Sequence, residues 1–246
     1  MYVYGVVRAG VRLDLPPEGV AGGAVTRVEQ GDLGALVGTI DEGPVKPSRR
    51  NVMAHSRVLQ EVVAHAADVL PMRFGVVMPN ADAVRDELLA LHDEVLRAQL
   101  HEHAGRVELT VTVTSPQEDQ LRMLLGSDLP LRRAAGDLDR ATPSERIAFG
   151  EQIARAIEVE RERVARRVIA AVSDFAVDAA VDEPRHDDML ANVAFLVERQ
   201  WVAAFDGALD ELGREFGPGR RVRAVGPMPP YHFVELALDQ EAGAWA

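Results

Sequence analysis

The sequence predicts an α+β protein made of two small α+β domains, the first ferredoxin-like with a mixed sheet and the second carrying a long helix. Three observations carry that reading. The 246-residue chain is 47% hydrophobic and 27% charged, an ordinary globular balance with length for two modest cores. Val107, Leu109, Val111 and Val113 alternate with Glu108, Thr110, Thr112 and Thr114, the period of a half-buried strand. Between two regularly patterned stretches, residues 117–142 collect Gly126, Pro130, Gly136 and the charged run Asp137-Leu138-Asp139-Arg140, which marks a junction. The expected division is therefore a ferredoxin-like domain over 1–116, a linker with a short helix over 117–142, and an α+β domain over 143–246.

The first segment, Tyr2 to Val7, is apolar at both odd and even positions, as an interior strand covered on both sides would be. Two further strands, Ala24–Val28 and Leu33–Ile40, flank Glu29-Gln30-Gly31-Asp32, which has hairpin length and composition. Ser48 is placed to cap a helix running to Ala67, with Val52, Ser56, Leu59, Val63 and Ala66 on one face. Val69–Met78 reads as a strand with Pro71 near its start, where a missing N–H is tolerated. Asn80 then caps a second helix whose buried stripe is Val84, Leu88, Leu91 and Val95, flanked by Leu96 and Leu100. After the junction, Thr142-Pro143-Ser144-Glu145 opens a long helix to about Val172, presenting Ile147, Ala154, Ile157, Val164, Val168 and Val172. Its middle is so charged that part of its length must lie on a surface. Phe175–Val181 and Met189–Val197 read as a strand pair. A helix from about Glu198 to Phe216 follows, and Gly217-Pro218-Gly219 stops it. Strands over Arg221–Val225 and Tyr231–Leu238 close the chain.

Charge and composition exclude several functions. With 27 basic and 39 acidic residues the net charge is −12, so phosphate backbones and anionic membranes are repelled. There is no cysteine, which removes disulfides, thiolate metal sites and a cysteine nucleophile and fits a reducing cytoplasm. The longest run without Asp, Glu, Lys or Arg, Ala224–Val234, is proline-broken and far short of the roughly 20 residues of a membrane span. The beginning, Met1-Tyr2-Val3-Tyr4, lacks the pattern of a signal peptide.

No catalytic constellation emerges. His101 and His103 lie two apart, which on a helix points them to different sides; they read as residues of a helix C-terminus, where the dipole favours positive charge. His186-Asp187-Asp188 reads as a solvated turn, and His55 as a partly buried, hydrogen-bonded histidine. No nucleophile elbow, Walker A or dinucleotide fingerprint is present. The chain is expected to be no enzyme and to need no cofactor or metal.

Two segments stand apart. Leu70-Pro71-Met72-Arg73-Phe74-Gly75 sets an arginine in an apolar strand, where it needs an ion-pair partner within the fold or else reaches a surface groove. Gly226-Pro227-Met228-Pro229-Pro230-Tyr231-His232-Phe233 is stiff, apolar and poor in donors, either a corner packed on the core or a preorganised contact. The candidate partner-binding residues are Arg73, Phe74, Pro227, Met228, Pro229, Pro230, Tyr231 and Phe233.

These segments resemble the GvpF/GvpL family of gas vesicle proteins. The matching pieces are Tyr2-Val3-Tyr4-Gly5-Val6, His55 followed by Val58-Leu59, Leu70 to Gly75, Ala194-Phe195-Leu196-Val197, and Gly226 to Val234, in the family's order and over nearly the whole chain. Met228 departs from the family's usual tryptophan or leucine, and His232 from its usual serine. The resemblance implies two α+β domains and an accessory role in gas vesicle assembly, binding the hydrophobic shell protein GvpA and other accessory Gvp proteins in a chaperone-like or nucleating capacity. The rival role is a minor component of the vesicle wall; a more distant one is a small-molecule-binding or enzymatic α+β protein.

Overall fold

Strand β1 (Tyr2–Arg8) is buried from Tyr2 through Val7. A strand apolar on both faces needs a neighbour on each side and a cover above and below. The computed structural model, which describes residues 1–41 and 45–235, supplies the neighbours in a four-stranded sheet ordered β2-β3-β1-β4. Here β2 (Val25–Gln30) and β3 (Leu33–Gly38) form a hairpin closed at Gly31-Asp32, with Gly31 at φ +57°. At the far edge lies β4 (Leu70–Pro71), where a proline costs no ladder hydrogen bond. The order is that of a ferredoxin-like sheet, but every pairing is antiparallel, not mixed as the alternation of strands and helices predicted. The order explains this: β3 lies between β1 and β2, and β1 between β3 and β4, so no two strands that run the same way touch.

Helix α1 (Arg49–Ala64) starts where Ser48 accepts a hydrogen bond from the Asn51 N–H. It buries His55, Val58, Leu59, Val62 and Val63, while Val52, expected on the inner face, is exposed. The inner face is thus rotated by about one residue from the expected stripe. Of the strand expected over Val69–Met78 only β4 pairs regularly, and Val77 returns to β1 through an isolated bridge with Tyr2. Gly75, at φ +102°, turns the chain between them. The helix expected after Asn80 is broken in two. The short α2 (Ala81–Ala83), capped by Asn80, runs into a π-helical stretch at Val84–Ala90, and α3 (Asp93–Glu102) follows. A π turn takes up an extra residue, so Leu89 and Leu96 point inward and the expected Leu91 and Val95 are exposed.

The second sheet has the order β6-β7-β5-β8. Strand β5 (Arg106–Thr114), assigned by sequence to the first domain, belongs here. Helices α4 (Gln117–Ser127), α5 (Leu129–Gly136) and α6 (Pro143–Val172) follow it. Next come β6 (Ala176–Val181) and β7 (Met189–Glu198), antiparallel to each other. Helix α7 (Val202–Phe216) ends at Gly217, φ +71°, and β8 (Arg221–Met228) completes the sheet. The described residues divide into one unit of 1–108 together with 226–235, and another of Leu109–Val225. This corrects the expected boundaries at 116 and 142. Residues 117–142 are helices of the second unit with Leu131 buried; their charge and glycine content mark exposed short helices, not a linker. The chain enters the second unit within β5 and leaves it within β8.

Each unit has its own core. In the first, Val3, Val6, Val37, Leu70, Val84, Leu89, Leu96 and Leu100 pack together. In the second, Val111, Val113, Val168, Val193, Phe195, Phe205 and Leu209 do so, with the Phe195 and Phe205 rings 5.3 Å apart and edge to face. The 30-residue α6 is about 45 Å long at 1.5 Å per residue. Its start is fixed by a capping box: Thr142 and Glu145 satisfy each other's backbone N–H. Its buried residues, Val164, Ala165, Val168 and Val172, all lie in the second half, and Ile147 is exposed.

Candidate interaction site

Arg73 and Phe74 lie in the loop after β4, not in a strand. Arg73 is exposed and forms no ion pair among the described residues, so the in-fold partner expected for it does not exist there. Phe74 turns inward to a nest of rings. Its centroid is 5.8 Å from Tyr2 and 5.9 Å from His55, while Tyr4 stacks on His55 at 5.7 Å and lies 4.9 Å from Tyr2.

Hydrogen bonds fix the nest. The left-handed backbone at Gly75 directs its N–H to the Tyr2 hydroxyl at 3.1 Å. The same hydroxyl shares a hydrogen bond with Nδ1 of His55 at 2.9 Å. No acceptor meets Nε2 in good geometry, though the Met72 backbone favours its proton. Burial pushes the His55 pKa down to about 4, with Met72 opposing, so the ring is neutral at pH 7. Burial likewise pushes Tyr2 up to about 12. The Tyr4 hydroxyl accepts from the Val20 N–H at 2.8 Å, and a Cβ at Gly19 would come within 2.0 Å of that oxygen, so only glycine leaves room for it.

The proline strip begins as the end of β8, an edge strand in which Pro227 needs no partner. Pro229 and Pro230 are buried. The strand expected over Tyr231–Leu238 is instead a turn at Tyr231–Phe233, in which the Phe233 and Val234 N–H groups both donate to the Pro230 carbonyl at 3.2 and 3.1 Å; residues 236–238 lie outside the described residues. Val234 packs on the core of the first unit. Glu108, only 1% exposed, holds the turn: its carboxylate accepts from the His232 N–H at 2.9 Å and meets His232 Nδ1 at 2.7 Å. Although Tyr231 is 38% exposed as a residue, burial around its phenol, with the Glu108 charge and Tyr2 adding, pushes its pKa up.

The structure thus turns Phe74 towards Tyr2 and His55, leaves Arg73 and Tyr231 exposed and Met228 and Phe233 half-buried, and encloses Pro229 and Pro230. Sequence reasoning missed Tyr2, Tyr4 and Glu108 as members of the site. The signal for the tyrosines was their scarcity and spacing, for Glu108 only its place on an otherwise threonine-bearing strand face. His103 ends α3 as expected, but burial lowers its pKa, so the neutral ring is favoured there and not the positive charge the dipole would attract. Among the described residues no group of three or more His, Asp or Glu is placed to hold a metal ion, and no helix is long and apolar enough to cross a membrane.

Comparison with known proteins is consistent along the whole chain. A family model described as gas vesicle synthesis protein GvpL/GvpF matches residues 1–235. Gas vesicle protein F of a Streptomyces strain is 34% identical over 95% of this chain and 99% of its own length. Gas vesicle protein F1 of Halobacterium salinarum is 27% identical, covering 98% and 95%. The crystal structure of gas vesicle protein GvpF from Anabaena superposes with a TM-score of 0.84 at 22% identity, covering 96% of this chain and 98% of that one, and shares the fold. Fold, sequence segments and family match agree: this chain belongs to the GvpL/GvpF family of gas vesicle synthesis proteins.

Proposed function

We propose that the chain is a non-enzymatic accessory protein of gas vesicle assembly, which binds the hydrophobic shell protein GvpA and other Gvp proteins and keeps shell subunits dispersed until they enter the wall. The observation that carries this reading is a family match that runs through residue 235 and so includes both the nest and the turn. Physical chemistry supports it. A subunit that buries its apolar surface only in the finished wall is prone to aggregate beforehand. A partner with net charge −12 keeps a complex dispersed while its own apolar groups cover that surface. This chain offers the exposed side chains of Tyr231 and Arg73, and on the sheet-edge strand β6 the exposed Val177 and Val181, where an extended segment can add by backbone hydrogen bonding. The protein then works in the cytoplasm and at the gas vesicle.

The contact is tested with a Tyr231→Ala, Phe233→Ala double variant in shell-protein pull-down. Loss of binding by a folded variant supports the strip as the contact, and unchanged binding removes it. Washing purified vesicles with urea separates the roles: release of this chain supports a transient helper, and retention supports a component of the wall.

A further inference from the structure

The second unit contains a cleft of about 230 Å³ that neither the nest nor the strip uses, lined by Ser115, Asp119, Arg122, Met123, Phe216 and Arg220. At several times a water's share of liquid volume, about 30 Å³, it admits a small molecule or a single side chain. Ser115 is 1% exposed and its hydroxyl has no hydrogen-bond partner. Its backbone is satisfied, the N–H donating to the Asp188 carbonyl at 2.8 Å and the carbonyl accepting from Gln120 Nε2 at 2.8 Å. A buried hydroxyl left over in an otherwise completed loop is costly unless something else completes it.

The second donor is Arg220, whose side chain is 5% exposed. Its Nη2 contacts the Glu160 carboxylate and the Met123 sulfur, the latter at 2.8 Å. A thioether is a weak acceptor, and a guanidinium carries five N–H groups, so Arg220 retains donor capacity. Charge points the same way. Among the charged residues that line the cleft, Arg122 and Arg220 outnumber Asp119, which pairs with Arg122, while Glu160 pairs with Arg220 from outside the lining. The apolar wall is the Phe216 ring, over which Arg167 and Arg220 sit at 4.8 and 5.1 Å from the centroid, together with Met123.

We propose that this cleft is a binding site for a small carboxylate with a compact apolar body. The carboxylate accepts from the Ser115 hydroxyl and from Arg220, and the body lies on Met123 and Phe216. The carboxylate is either that of a free acid or the chain terminus of a protein partner.

The test is titration of the full chain, followed by ligand-detected NMR, with benzoate, benzamide and N-acetylleucine. Saturable benzoate binding is expected, weakened about tenfold or more when the charge is removed in benzamide and again in Ser115→Ala, the loss of one hydrogen bond to a charged group. Ser115→Ala replaces an unpartnered hydroxyl and keeps the fold; Arg220→Met, checked for folding by circular dichroism, is expected to abolish saturation. N-acetylleucine binding more tightly than benzoate supports a protein terminus as the natural occupant, and the reverse order supports a free acid. Absence of saturable binding by both carboxylates, or a Ser115→Ala protein that binds benzoate as wild type does, overturns the site.

Discussion

The two units share an architecture, a four-stranded sheet with helices, yet they are closed by different chemistry. The first is sealed at β1 and α1 by Tyr2, Tyr4, His55 and Phe74, a nest whose polar atoms are tied to backbone N–H groups at Val20 and Gly75. The second closes over aliphatic groups and the Phe195–Phe205 pair, and it carries a helix whose first half has no fully buried residue, with Phe149, Ile153 and Ile157 half-buried. Where rings and hydrogen bonds interlock, each group depends on its neighbours and the backbone is fixed around them. Where only one half of a helix reaches the core, the other half is largely surface and contributes less to stability.

The sharpest way to break this comparison lies in the second unit. Phe195→Ala removes a fully buried ring and is expected to cost about 3–5 kcal/mol, whereas Ile147→Ala on the exposed half of α6 stays within about 0.5 kcal/mol, both read by urea unfolding. Equal costs would mean that the first half of α6 is packed after all.

The next effect belongs to the first unit and depends on pH. His55 has a folded pKa near 4, below the unfolded value of about 6.5. Between these values the unfolded chain holds the proton and the folded one does not, so stability rises with pH. The contribution is complete above pH 6.5 and lost as pH falls towards 4, up to about 3 kcal/mol. Unfolding at pH 7 and pH 5 should show a steeper loss for wild type than for His55→Phe. A residual slope of the same sign is expected from His103, which burial also pushes down. Equal slopes in the two proteins would show that His55 is not shielded.

A smaller effect tests the turn. Glu108→Gln weakens the hold on His232, at a cost of about 1.5–3 kcal/mol for hydrogen bonds to a charged group. Amide exchange should accelerate at His232, Phe233 and Val234 while the second unit stays protected. The smallest is Thr142→Ala, which removes the α6 cap and is expected to cost about 1 kcal/mol, with fraying confined to the exposed half.

Much of this was legible in the chain. The interior character of Tyr2–Val7, the hairpin at Gly31-Asp32, the caps at Ser48, Asn80 and Thr142, and the Gly217 stop all follow from local chemistry, and the structure has them. What was not legible is non-local. The alternation in β5 says that it is a half-buried strand, but nothing in it names the sheet it joins. The π turn after Asn80 shifts a buried stripe by one residue, and apolar residues at neighbouring positions leave both registers open. Glu108 occupies the polar face of an alternating strand, and only the returning turn at His232 encloses it. The proline strip reads as stiff and apolar in the sequence, but its partition into buried Pro229 and Pro230 and exposed Tyr231 depends on the core it meets.

The most direct test of the central claim is co-expression of this chain with the shell protein, followed by pull-down and a solubility assay. The account predicts a soluble complex containing both, with the shell protein insoluble when expressed alone. Failure to form that complex, with the other accessory proteins also present, would contradict it.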